Sequence, residues 1–181
     1  MYPDGIPQYS IDFEGIDLVM EGKFRDNHFQ GVAMIVERLF NAVQPDKAFF
    51  GLKDFQQVAI INQMVKVRGL KVDIIPVDIV RSESGLALSS RNQRLSENQK
   101  EEALIIYHTL LQGKSWANEL SHQELQHKMI SFFNEGSLRL EYLEIVDPKT
   151  LQSPKNPEGP WHCCIAAFCG GVRLIDNVQL L

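Results

Sequence analysis

Residues 48–80, AFFGLKDFQQVAIINQMVKVRGLKVDIIPVDIV, decide the fold. Ala48-Phe49-Phe50 is a short apolar run that stops at Gly51, the pattern of a buried strand. From Asp54 to Val67 the residues suit a helix. Asp54 is a capping type, Gln57 stands three residues on at the capping-box spacing, and Arg68-Gly69 closes the run. Val72 to Val80 is rich in β-branched residues and reads as a second strand, with Pro76 marking an edge, a bulge or an end. Strand, helix, strand in this order favours parallel pairing through a crossover helix.

Upstream, Val32, Ile35, Val36, Leu39, Phe40 and Val43 recur at helical spacing and predict a helix over Phe29–Gln44, which Pro45 stops. The stretch before Gly22 carries few helical signals. Residues 29–80 therefore read helix, strand, helix, strand, too little for a complete sheet, so the chain is expected to enter a parallel-sheet fold partway through. After Asn92 the pattern changes. Ser96-Glu97-Asn98-Gln99 is a capping box that opens a helix to Gln112, and Ser121-His122-Gln123-Glu124 opens another that ends at Gly136. Tyr142–Val146 and Cys164–Phe168 read as strands, separated by a loop, Asp147–Pro160, with four prolines. Asp176-Asn177 reads as a turn before a last strand. The second part is a small α+β domain, and the expected division is 1–92 and 93–181.

Composition excludes several classes. The 181 residues are 44% hydrophobic and 23% charged, the balance of a globular chain that buries a core. A formal net charge of -5 argues against a broad electrostatic grip on nucleic acid. No apolar run approaches the ~20 residues that span a bilayer. Met1-Tyr2-Pro3-Asp4-Gly5 is turn-like, without a basic-then-apolar leader pattern. Cys163, Cys164 and Cys169 lie in an apolar run without C-x-x-C spacing, so buried free thiols in a reducing, cytoplasmic compartment are expected and a metal site is not.

Three stretches have residue types suited to chemistry. Gly51-Leu52-Lys53-Asp54, with Gln57 beyond, lies between a strand's C-terminal end and a helix N-terminus, where open α/β sheets bind ligands. Backbone N–H groups and the Lys53 ammonium suit phosphate there; the same residues serve equally well as a turn, a cap and a solvated lysine. Gly85-Leu86-Ala87-Leu88-Ser89-Ser90-Arg91-Asn92 follows the second strand. Two hydroxyls and a guanidinium suit a triphosphate, or else a polar interdomain loop, although Leu86-Ala87-Leu88 must pack somewhere. In Arg25-Asp26-Asn27-His28-Phe29-Gln30-Gly31, His28 reads as a packing or capping residue and Asn27 as a direct helix cap. His108, His122, His127 and His162 read as surface or packing residues. No Ser-His-Asp order, metal-ligand spacing or Walker loop is present.

Taken in order, these segments resemble the pantothenate synthetase (pantoate–β-alanine ligase) family. The resemblance is carried by Met1–Gly5, His28-Phe29-Gln30-Gly31-Val32, Phe50–Gln57, Gly85–Asn92 and Arg173-Leu174-Ile175-Asp176-Asn177, over nearly the whole chain. It implies an α/β fold: the C-terminal half of a Rossmann-like nucleotidyltransferase domain over 1–92, then the C-terminal α+β domain over 93–181, usually in a homodimer. The implied reaction joins pantoate to β-alanine with ATP and Mg²⁺ through a pantoyl adenylate. By the resemblance, Gly51, Leu52, Lys53 and Asp54 would contact ATP, Val80 would line the adenine site, and Leu88, Ser89, Ser90 and Arg91 would close over the nucleotide. Lys53, Ser89, Ser90 and Arg91 would be the catalytic groups on the phosphates, and Gln57 would hydrogen-bond pantoate.

The chain departs from the family in lacking a His-x-Gly-His element, and Leu52 replaces an acidic residue. It is therefore expected to be a truncated part, inactive alone and without a metal ligand of its own. The alternatives are another nucleotidyltransferase of the same superfamily and a non-catalytic dimerising or nucleotide-binding fragment.

Overall fold

The computed structural model describes residues 8–181; the Met1–Gly5 stretch lies outside them. Two compact units emerge from the chain. The first joins the residues up to Phe50 with Gln56–Val77, and the second joins Gly51–Phe55 with Asp78–Leu181. The contact boundary thus falls at Val77, ahead of the expected division at Asn92, and five residues of the first strand-to-helix passage belong to the second unit.

In the first unit the order is α1 (Glu21–Phe24), α2 (His28–Val43), β1 (Lys47–Gly51), α3 (Phe55–Arg68) and β2 (Asp73–Val77). β1 and β2 form a two-stranded parallel sheet joined by α3. The core is Ile11, Phe13, Phe29, Ala33, Ile60, Ile61 and Met64. Gln56 is 3% exposed and keeps the irregular stretch before α2 in place. Its Nε2 donates to the carbonyls of Ile16 and Val19, and its Oε1 accepts from the Glu21 N–H. Hydrogen bonds on both its amide nitrogen and its oxygen offset the cost of taking this amide out of water.

Four local expectations are corrected. Asn27 does precede α2, but its φ of 57° places it in the left-handed region and its side chain makes no cap bond. Ala48-Phe49-Phe50 is a strand but not a buried one. Strand residues alternate faces, so Phe50 packs edge-on against Phe40 while Phe49 is 68% exposed on the other side. The Asp54–Gln57 capping box does not form, because a 3-10 turn over Leu52–Asp54 runs directly into α3 and leaves Asp54 inside the helical run. The second strand is shorter than expected, ending at Val77.

The second unit holds α4 (Glu97–Glu102), α5 (Leu104–Trp116), α6 (His122–Phe133), β3 (Arg139–Val146), β4 (His162–Cys169) and β5 (Val172–Gln179). The helix expected over Ser96–Gln112 is two helices, broken at the fully buried Ala103, whose N–H is shared between the Gln99 and Glu101 carbonyls. Both capping boxes form as read, Ser96 with Gln99 and Ser121 with Glu124. The three strands make an antiparallel sheet ordered β3-β4-β5. Helices α5 and α6 pack together and onto this sheet, enclosing Leu110, Leu125, Met129, Phe133, Ile165 and Trp161.

Asp176 and Asn177 are not a turn. They lie inside β5, buried, opposite Ile165 and Cys164 of β4. The three cysteines are buried thiols, not joined in a disulfide, and burial raises the Cys163 and Cys169 thiols above their ordinary range. Among the described residues no helix is long and apolar enough to cross a membrane.

Between β2 and α4 the chain turns back on itself. Arg81 bridges Ala87, the Leu88 N–H donates to the Val80 carbonyl, and Gly85 turns the corner at a φ of 102°. A Cβ at Gly85 would lie 2.1 Å from the Tyr107 ring. Gly85→Ala combines backbone strain with this overlap and should cost the second unit about 2–4 kcal/mol, measured by urea denaturation.

Candidate functional site

The two polar loops singled out in the sequence both belong to the second unit, and they meet. Lys53 from the 3-10 turn and Ser89 from the loop after the 80–88 hairpin line one crevice, with Asn92, Arg173 and Asp176 around it. The crevice is narrow, about 10 Å³. A roomier cavity of about 620 Å³ adjoins it through the shared residues Leu86, Ser89 and Asn92. That larger space is edged by Glu97, Glu101 and Lys100, and Lys100 is paired to Glu97 at 2.7 Å. In the crevice Arg173 is paired with Glu141 and Asp176 with Arg81, so Lys53 is the cation there whose charge lies outside those two ion pairs.

Each element has a physical reason for its place. Leu86 and Ala87 are buried in the second unit, which fixes the hairpin, whereas Leu88 is 48% exposed and Val80 66%. Val80 and Leu88 are brought together by their backbone bond at 2.9 Å. Ser89 caps the following 3-10 turn, accepting from the Arg91 N–H at 3.0 Å and donating to Asn92 Oδ1 at 3.2 Å. A phosphate oxygen arriving at Ser89 would compete with Asn92 for that proton. Asn92 in turn donates to the Ala87 carbonyl. Ser90 and Arg91 are exposed, the guanidinium reaching the Arg173 carbonyl at 3.4 Å. Gly51 and Asp54 are exposed, and Leu52 and Lys53 are half-buried. Gln57 is half-buried on α3, in the first unit.

The residues that hold this arrangement were not found as a site in the sequence. Asn177 donates through Nδ2 to the carbonyls of Leu52 and Lys53, at 2.8 and 3.1 Å. Because only the NH₂ can serve two carbonyls, its Oδ1 faces His162 Nε2 at 2.9 Å. His162 therefore carries its proton on Nε2 and donates it. The ring of His162 also stacks on Phe55, with centroids 3.7 Å apart and planes within 7°. Asp176 accepts both arms of the Arg81 guanidinium, at 2.6 and 2.9 Å. Arg81 further donates to the Gly85 carbonyl and lies over the Tyr107 ring. One sequence signal did point this way: Gly170-Gly171 between two apolar runs is hairpin chemistry, which would have carried the partner strand through Asp176 and Asn177. His28, by contrast, packs beside Phe29 at the start of α2.

An α/β unit with a parallel sheet, joined to helices on a small antiparallel sheet, is the fold class expected from the sequence. The sequence profile of the pantoate-beta-alanine ligase family matches residues 1–179, and the chain belongs to that family. A pantothenate synthetase of Bacteroides thetaiotaomicron is 49% identical over 183 residues, covering 99% of this chain and 64% of that protein. The crystal structure of pantothenate synthetase from Thermus thermophilus superposes with a TM-score of 0.93 at 36% identity, over 99% of this chain and 66% of that one. Pantoate-beta-alanine ligase from Francisella tularensis, complexed with beta-gamma ATP and beta-alanine, matches with a TM-score of 0.74 at 33% identity, over 99% and 60%. The chain thus spans about 64% of the length of its Bacteroides relative.

Burial holds the His162 imidazole below its ordinary value of 6.5, and the Asn177 hydrogen bond opposes this only in part. The neutral ring is thus favoured in the folded state. Between the lowered folded value and 6.5 the unfolded chain binds more protons, so stability is lost as pH falls through that window. Urea midpoints of the second unit should drop as pH falls below the ordinary imidazole value of 6.5, and His162→Gln should remove that part of the drop.

Proposed function

We propose that this chain supplies the phosphate-binding residues of an ATP-dependent pantoate–β-alanine ligase. The observation that carries the reading, given the family, is the shared crevice of Lys53 and Ser89. In the first step the pantoate carboxylate attacks the α-phosphorus of ATP, the bond to the pyrophosphate bridge breaks, and pantoyl adenylate and pyrophosphate form. In the second step the β-alanine amine attacks the activated carbonyl, loses a proton, and releases AMP to give pantothenate.

Charge accumulates on the leaving pyrophosphate in the first step. Fixed donors and cations at that position stabilise the transition state more than the ground state. Lys53 and Arg91 are the cations, and Ser89 and Ser90 the hydroxyl donors. A carboxylate is already a nucleophile at neutral pH, so the step needs no general base. Gly51, Leu52 and Asp54 extend the ATP contacts, Val80 and Leu88 offer apolar surface to adenine, and Gln57, four residues on from Lys53, offers its amide to pantoate. Among the described residues no cluster of three His, Cys, Asp or Glu side chains converges. Mg²⁺ held by the triphosphate would neutralise part of its charge, as suits a hard cation that keeps several waters. A homodimer in the cytoplasm belongs to the same proposal.

In the full-length protein, Lys53→Ala should lower pantoate-dependent exchange of pyrophosphate into ATP by about 100-fold or more, with an unchanged urea midpoint. Near-normal exchange in that variant would sink the assignment.

A further inference from the structure

Asp176 and Asn177 are neighbours on β5, and their side chains leave opposite faces of the strand. Each ties down a different one of the two loops. Asn177 holds the backbone of Leu52 and Lys53 through both of its N–H donors. Asp176 holds Arg81 in a two-pronged ion pair, and Arg81 also bonds the Gly85 carbonyl, which fixes the hairpin that feeds Ser89. A third tie, Arg91 to the Arg173 carbonyl, ends on the same strand.

Neither residue suits its place as a packing residue. Asp and Asn are depleted in strands, and both are 4% exposed. An apolar pair would fill the same positions without desolvating a carboxylate and an amide. What the polar pair adds is register. With the Leu52 and Lys53 carbonyls pinned on either side of the lysine α-carbon, the point from which the lysine side chain departs is fixed.

We propose that Asp176 and Asn177 are positioning residues, which set Lys53 and the Ser89–Arg91 loop at a fixed spacing across one strand. This rests on the reading of those loops as phosphate contacts.

The test uses the full-length protein and Asn177→Asp, which keeps size and the Oδ1 acceptor for His162 but removes both donors. Backbone hydrogen exchange over residues 51–57 should quicken about ten-fold, with β3 unchanged. The kcat for pyrophosphate exchange should fall about ten-fold or more, with little change in KM for β-alanine. Added to Lys53→Ala, Asn177→Asp should cost nothing further, because it acts through the lysine. Arg81→Lys, which keeps the charge and loses the fork, should lower exchange several-fold and carries the test if Asn177→Asp does not fold.

Unaltered hydrogen exchange, full activity, or a double variant that multiplies the two losses would each overturn the proposal. A wild-type protein with no pantoate-dependent exchange would defeat the functional reading itself. An active wild type with an equally active Asn177→Asp would defeat the positioning role alone.

Discussion

The Lys53 side of the candidate site depends on one amide. The side chain of Asn177 gives both N–H groups to the carbonyls of Leu52 and Lys53 and takes the His162 proton on its oxygen. Each bond contributes about 1 kcal/mol net, a modest sum. Left unmade, however, the buried Asn177 amide would carry the full cost of its desolvation. His162 extends the arrangement by stacking flat on Phe55, so a polar contact and an apolar one fix the same five-residue turn. The consequence is geometric more than energetic: the turn that bears Lys53 is held to the antiparallel sheet.

The Arg81–Asp176 pair plays the matching part for the other loop. With side-chain exposures of 21% and 3%, it is too buried for its Coulomb attraction to come without a desolvation cost. Its bidentate geometry, the Gly85 carbonyl and the Tyr107 ring offset that cost. Specific register, rather than net stability, is what such a pair contributes. The neighbouring larger cavity has room and is edged by Glu97, Glu101 and Lys100, while the narrow crevice is lined by Lys53, Arg173 and Asp176.

The sequence made the local elements legible where side chain and backbone agree. The capping boxes at Ser96 and Ser121, the helix over α2 and the strand–helix–strand passage all depend on neighbours along the chain. Expectations failed where distant residues decide. Phe49 looked buried because it is apolar, yet exposure is set by what packs above a strand. Asp176-Asn177 looked like a turn because those types favour turns, yet Arg81 and the Leu52–Lys53 carbonyls hold them in a strand. Lys53 and the Ser89–Arg91 loop were each readable as suited to phosphate. Their convergence was not, since it runs through residues about a hundred positions away that no local pattern ties to them. The family resemblance joined the two loops in function before the structure joined them in space.

That separation along the chain bears on how the protein is made. The Asn177 bond to Lys53 spans 124 residues. A ribosome adding residues in order exposes the lysine turn and the Ser89 hairpin long before β5 exists. Until then the Asn177 amide that bonds the Leu52 and Lys53 carbonyls and the Asp176 carboxylate that pairs with Arg81 are not yet present. Closing so long a loop is entropically slow. During synthesis the two loops therefore remain unassembled, and the crevice between Lys53 and Ser89 comes into being as one of the last acts of folding.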